Sequence, residues 1–404
     1  MKINTLKVLS IGTVISTLLI IALLLSIQEF TAKKVTEVKG SSEPCREGQH
    51  RLTSKKSREN CRSLITAFHT QGIETALKVF AILREQDVYL DCHIYAHELG
   101  IALYQQLGPH GNPVPYLMQL PQETAWCAVF AYHSFLSMLI QNEVETKDAI
   151  SKALNICRKA DAQFPQRRVL NRHCYTGIGY ALVYRYFQEI SDEEAIVHKA
   201  IAVCTSSALD LYKEPCLYGV FEGIMRLTLG SGETESRFPL RYGDPFWLCK
   251  RLEASLQGTC YIGLREIARQ VVDGDLGKAA SLLREVPDEI AQEAMWSFGL
   301  AAAPKRTPPS EASNNQVIAA CQSIESRLQL ACIRGAAWNI VRLGSADQTQ
   351  KQALLFCQSG DLSYGYKYPC LQEVISSARL HYSPENLTSL CLALDPSYRY
   401  LCEN

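Results

Sequence analysis

The feature that most constrains this chain is the placing of its 16 cysteines. None falls in the first 44 residues. The last twelve run along the sequence as close neighbours: Cys157 with Cys174, Cys204 with Cys216, Cys249 with Cys260, Cys321 with Cys332, Cys357 with Cys370, and Cys391 with Cys402. No two form a Cys-x-x-Cys pair, so the spacings of zinc ribbons, iron–sulfur clusters and dithiol oxidoreductases are absent. An even, widely spaced set is the pattern of disulfides made in an oxidising compartment, and these twelve read as six bridges. For Cys45, Cys61, Cys92 and Cys127 the spacing allows both 45–61 with 92–127 and a 61–92 bridge.

The start of the chain supplies a route to such a compartment. Residues 8–27, VLSIGTVISTLLIIALLLSI, carry no charge and make about 30 Å of helix, the thickness of a bilayer core. Lys2 and Lys7 precede the run, as a positive-inside anchor requires. A cleaved signal peptide has a shorter apolar run and small residues at its cleavage site, which Ser26-Ile-Gln-Glu29 does not offer. The expectation is a single-pass signal anchor, with residues 1–7 cytoplasmic, 28–44 a polar linker, and 45–404 a periplasmic or extracellular domain. Lys33, Lys34 and Lys39 follow the run, so charge bias alone leaves orientation open and the cysteines decide it.

Within 45–404 the cysteine pairs mark a repeat. The first member sits toward the end of one helix and the second opens another. Helix starts are legible at Thr146, at Ser191-Asp-Glu-Glu194 and Ser345-Ala-Asp-Gln348, which have capping-box form, and at Asp244-Pro245 and Ser383-Pro384, a capping residue before proline. Three residues past the second cysteine stands a glycine: Gly177, Gly219, Gly263 and Gly335. Glycine costs a helix about 1 kcal/mol relative to alanine, so its recurrence implies close approach by a neighbouring helix. Cys127, Cys174, Cys216 and Cys260 follow one another at roughly 42–47 residues, a period typical of stacked helix pairs. From Cys260 to Cys332 is about two periods. Leu283 to Trp296, followed by Gly299, reads as a repeat whose cysteines became apolar. Two proline-rich stretches, 105–123 and 304–315, read as loops, the second a candidate break between repeats.

These features together, with phrases such as Gly274-Asp-Leu-Gly-Lys-Ala-Ala280, resemble the cysteine-rich secreted versions of tetratricopeptide-like and Sel1-like helical repeats. The resemblance is one of architecture over residues 45–404, since the Trp, Tyr and Pro landmarks of the tetratricopeptide motif are missing. It implies an all-α fold, an α-solenoid of disulfide-stapled helical hairpins behind one transmembrane helix.

The chemistry-bearing residues are few. His93 and His97 are one helical turn apart and can share one metal ion, although His97-Glu-Leu-Gly100 lacks the second histidine of a zincin motif. Six residues past successive helix-opening cysteines stand Glu98, His133, Tyr180, Glu222 and Glu266. Stacked in register, they would line one side of the N-terminal repeats as a ligand-binding groove, with His173 and Tyr132 beside them. The count then meets Ala302, Trp338 and Ser376, and the column stops. The candidate metal ligands are His93, His97 and His133, for a single transition-metal ion; the alternative is that these polar side chains only join neighbouring repeats.

Lys+Arg and Asp+Glu both total 41 and no basic stripe appears, which argues against nucleic acid as partner. No nucleophile elbow, P-loop or dinucleotide fingerprint is present, so no catalytic residue is assigned. The sequence therefore points first to a membrane-anchored extracytoplasmic scaffold for a protein or peptide partner, and second to a metal-binding protein or metalloenzyme.

Overall fold

Amphipathic segments of 10–20 residues, separated by glycine and proline, fold here into helix after helix. The computed structural model describes residues 55–86, 92–118, 122–165, 168–230, 236–303, 311–343 and 346–403, and every regular element among them is helical. The expected anchor at 8–27, its flanks and Cys45 lie outside the described residues. No helix among the described residues is long and apolar enough to cross a membrane.

The chain runs through α1 (Lys55–Gln71), α2 (Ile73–Gln86), α3 (Cys92–Leu107), the single turn α4 (Val114–Leu117), α5 (Gln122–Asn142), α6 (Thr146–Gln163), α7 (Arg168–Phe187), α8 (Glu193–Cys204) and α9 (Lys213–Leu229). It continues through α10 (Ala254–Gly263), α11 (Arg265–Val271), α12 (Leu276–Leu282), α13 (Asp288–Ala302), α14 (Glu311–Gln322), α15 (Ser326–Leu343), α16 (Ala346–Gln358), α17 (Tyr364–His381) and α18 (Pro384–Ala393). The loop expected at 105–123 is thus partly helical, and helix α14 already begins at Glu311, inside the stretch 304–315. Across that stretch α13 and α15 pack along each other.

The second helix of each repeat packs on the second helix of the next. The order is α3, α5, α7, α9, α10 with α11, α13, α15 and α17, and α17 then returns to pack against α5. An open superhelix would hold its early and late repeats apart. Here the inner helices close into a ring, with α6, α8, α12, α14 and α16 as an outer layer.

All six expected bridges are present: 157–174, 204–216, 249–260, 321–332, 357–370 and 391–402. Their Cα atoms are 5.5 to 6.1 Å apart, ordinary for a disulfide. Loops of 11 to 17 residues give about 3 kcal/mol each in the chain-entropy account. Cys61 is also disulfide-bonded and fully buried.

The second cysteine does not open its helix, however. Cys174, Cys260, Cys332 and Cys370 each sit in the second turn, six residues after the helix start, so the staple grips an inner helix already one turn long. In the last pair the second cysteine belongs to the 3-10 helix Pro396–Cys402 instead of an inner helix.

The expected glycine contacts are found where helices cross. A Cβ on Gly219 would lie 1.9 Å from the Thr176 carbonyl oxygen, and one on Gly179 1.9 Å from that of Cys216, so α7 and α9 touch backbone to backbone. The same reciprocal crossing joins α13 and α15, where Gly335 abuts the Trp296 carbonyl and Gly299 that of Cys332. The crossing that pairs Thr176 with Cys216 here pairs Trp296 with Cys332, so α12–α13 is the repeat without cysteines. Where its second cysteine would stand is buried Ala294, six residues after the helix start, in place of the expected Trp296. Its staple is replaced by Arg327, whose guanidinium donates to the carbonyls of Leu283, Arg284 and Val286 and to Asp288.

The capping expectations hold unevenly. Ser383 caps α18, accepting from the Asn386 N–H, with Pro384 at the first helical position. In α8 the cap is Asp192, not Ser191; its side chain accepts from the Glu194 N–H. Thr146 is the first residue of α6 and not its cap. After Asp244-Pro245 come turns and the 3-10 helix Cys249–Arg251 in place of an α-helix, because Phe246 and Leu248 turn into the core. Ser345 lies outside the described residues.

Candidate functional site

The register argument places polar residues on successive inner helices, and four of the five column members are buried there. Glu98 on α3 is 5 % exposed, His133 on α5 1 %, Tyr180 on α7 9 % and Glu222 on α9 8 %. Glu266 departs from the pattern. The inner helix breaks at Leu264 between α10 and α11, and Glu266 is left half-buried in an ion pair with Arg269 at 2.7 Å.

Two of the buried members meet, and His97, next to Glu98 on α3, joins them. The His133 ring stacks on Tyr180 at 5.2 Å between centroids and 17° between planes. His97 lies 6.3 Å from His133 and 6.4 Å from Tyr180, and its Nδ1 is paired with the Ser134 hydroxyl at 2.5 Å. Tyr180 donates its hydroxyl proton to Tyr184 at 3.1 Å. Neither ring nitrogen of His133 has a protein partner, and the buried Tyr132 hydroxyl beside it has none either. Leaving such a group unpaired costs about 1–3 kcal/mol, which a folded protein tolerates where something else is to be bound.

Electrostatics follow from this burial. Burial, and then the charge of Arg226, push the His133 imidazole down to about 3. Burial also takes His173 and His381 to about 3, His173 with the added effect of His133 ahead of Arg172 and Arg342, and His381 with the charge of Arg342 first. The Tyr180 hydroxyl is raised well above its usual value, by burial first. The histidines are therefore neutral at pH 7, each with one N–H donor and one acceptor nitrogen.

No protein-family model matches the chain, nor does any curated protein or solved structure. The tetratricopeptide and Sel1 resemblance thus stands as helical, disulfide-rich architecture alone.

Of the candidate metal ligands, the structure brings His97 and His133 together, while the His93 side chain lies outside the described residues. Among the described residues no three His, Cys, Asp or Glu side chains are grouped to hold a metal.

Sequence reasoning stopped the column too early. Trp338 on α15 meets the edge of His381 on α17 at 5.9 Å and Trp296 on α13 at 5.7 Å. Trp296 donates its indole N–H to buried Glu373, whose other oxygen takes Arg334. The signal was a second polar residue four positions beyond Tyr180, Glu222 and Trp338: Tyr184, Arg226 and Arg342. In α17, which carries Pro369 inside the helix, the buried polar residues are Glu373, Ser377 and His381. They stand one residue later than the count from Cys370.

Proposed function

We propose that this chain is a single-pass, membrane-anchored extracytoplasmic binding protein. Residues 8–27 would span the membrane with 1–7 in the cytoplasm, and the stapled repeats would offer a rigid surface to a protein or peptide partner. The six bridges support an oxidising compartment, and the uncharged run at 8–27 supports the tether. One observation carries the binding reading. His97, His133, Tyr180 and Tyr184 come from three successive inner helices into one aromatic, hydrogen-bonding cluster, with unpaired nitrogens on His133. Tyrosine side chains suit peptide contact, and half-buried Tyr184 is the member of the cluster within reach of a partner.

The test uses the full chain in its own membrane, with a photo-crosslinking residue in place of half-buried Tyr184. One adduct of defined mass, lost when His133→Ala is added, supports the reading. Labelling only by lipid or water at Tyr184 refutes it. Topology is read separately: a reporter fused at the C-terminus must be active outside the cytoplasm.

A second reading has one observation in its favour, the pairing of His97 with a His133 whose two nitrogens are unpartnered. Here a single transition-metal ion would be held by His97, His133 and His93. Stoichiometric metal in the purified protein at neutral pH, absent from a His97→Ala/His133→Ala variant, would establish it. Metal-free protein whose melting is indifferent to chelator would dismiss it.

A further inference from the structure

Between α9 and the 3-10 helix Cys249–Arg251 the chain passes the start of α8 as a surface strap, residues 239–244. Its two ends are pinned. Phe238 and Phe246 are buried, and the N–H groups of Arg237 and Phe238 donate to the Leu227 carbonyl at 2.8 and 3.4 Å. At mid-strap the Arg241 guanidinium lies over the Trp247 ring at 3.5 Å, and it stands 3.8 Å from the carboxyl of Glu193, the first residue of α8. Beneath them is a recess with room for about one water, roughly 10 Å³, lined by Glu193 and Arg241 with Thr228, Trp247, Leu264 and Ile267.

Glu193 is poorly placed to keep a negative charge. Its side chain is 10 % exposed, while that of Arg241 is 43 % exposed and solvated. A separation of 3.8 Å exceeds a hydrogen bond, and water screens the attraction. The flanking Asp192 and Glu194 oppose ionisation further. Glu194 is itself held by Arg251 at 2.9 Å and by His198 at 3.8 Å, and Asp244 on the strap by Lys250 at 3.0 Å. From α9 comes uncharged Thr228, and from the break before α11 come Leu264 and Ile267. Burial therefore outweighs Arg241, and the closed site raises Glu193 to about 7.

We propose that residues 239–244 are a proton-sensitive latch, shut on α8 while the Glu193 carboxyl is protonated and loosened when it is ionised. With the strap lifted, Glu193 meets water and returns to its ordinary value of about 4.5. The shut form thus holds the proton more tightly. Its advantage is complete below about 4.5 and is lost as pH rises to about 7, by up to about tenfold in the shut-to-open ratio per pH unit. Opening bares Leu264 and Ile267 at the break in the inner helix, so pH sets how often that recess is open. The latch stands or falls independently of the partner-binding reading.

The test is fluorine NMR of the full chain in detergent with its four tryptophans replaced by 5-fluorotryptophan, the Trp247 line being assigned by Trp247→Phe. Broadening of that line by a neutral gadolinium chelate reports loss of the Arg241 cover. It should grow from pH 5 to 7 and level off above, while the Trp296 and Trp338 lines stay unchanged. Glu193→Gln should abolish the rise, and His198→Asn should leave it in place. Arg241→Gln removes the attraction that favours ionisation, so it should carry the rise to higher pH. Melting curves and free-thiol counts qualify each variant as folded. If Glu193→Gln fails to fold, Arg241→Gln and His198→Asn still decide the matter. Broadening that is flat with pH, a rise that survives Glu193→Gln, or a rise unmoved by Arg241→Gln overturns the proposal. So does a rise lost in His198→Asn, which would move the switch to the bridge of Glu194 with His198 and Arg251.

Discussion

Replacing Gly219 by alanine tests whether backbone contact between inner helices holds the ring in shape. The added Cβ would sit 1.9 Å from the Thr176 carbonyl oxygen and 2.8 Å from its carbon. An ordinary C···O contact is roughly 3.3 Å, so α7 and α9 would have to part by more than 1 Å in a close-packed interior. Overpacking of this kind costs about 1–3 kcal/mol and occasionally more. Helix propensity returns about 1 kcal/mol of that. The crossing is reciprocal, through Gly179 and the Cys216 carbonyl, so separation loses contacts on both sides and places the expectation at the upper end, a net loss of about 2 kcal/mol. At about 2–4 °C per kcal/mol for a large domain, thermal melting followed by circular dichroism should fall by roughly 4–8 °C. Gly258 and Gly365 are the controls. A Cβ at Gly258 meets nothing closer than 3.4 Å and one at Gly365 meets nothing within 4 Å, so alanine there should be neutral or stabilising by up to about 1 kcal/mol. Free-thiol counts must show the 204–216 bridge intact in each variant. A Gly219→Ala protein as stable as its parent, with the controls behaving as stated, would refute the contact argument.

Four further outcomes follow. Arg327→Ala should destabilise by about 1–3 kcal/mol, since three carbonyls and Asp288 lose their donor; denaturant midpoints measure it, and Arg327→Lys should recover only part. Glu373→Ala should cost about 1–3 kcal/mol, because Trp296 and half-exposed Arg334 lose their shared buried acceptor; Glu373→Gln should cost less, and equal losses would contradict the network. In buffer with chelator, acid should weaken the fold between pH 6.5 and 4.5. His133, His173 and His381 titrate near 3 when folded, so their stabilisation is complete above the unfolded value of about 6.5 and is lost as pH falls, by at most about 1.4 kcal/mol per unit each. Glu193, raised to about 7 by burial, opposes this, its stabilisation being complete below about 4.5 and lost as pH rises; a melting temperature flat over this range would contradict the net slope. Removing the 321–332 bridge by double alanine replacement should cost about 3 kcal/mol, read as a shift of the urea midpoint with little change in helicity.

The bridges were legible because each joins residues only 11 to 17 apart, so neighbours in sequence are neighbours in space. The glycines were legible for the same local reason: one missing side chain answers one close neighbour. Ring closure was not, since it depends on small rotations accumulated from repeat to repeat, and no local spacing records their sum. Four members of the polar column were found because α3, α5, α7 and α9 keep one register. Glu266 fell out where the helix breaks at Leu264, and the late half was missed because the buried polar residues of α17 stand one residue past the count from Cys370. The helix starts were misplaced because the cysteine, chosen as the visible mark, grips the second turn and not the first.

Every bridge from 157 onward joins a cysteine to the very next one along the chain. A polypeptide threaded N-terminus first through an export channel would present each pair before the following pair emerges. An oxidase acting on whichever thiols appear together would then install all six correctly, with no scrambled isomers to repair. If the chain is exported as proposed, these six bridges need an electron acceptor but no reshuffling enzyme, and the rate of their closure would be set by threading.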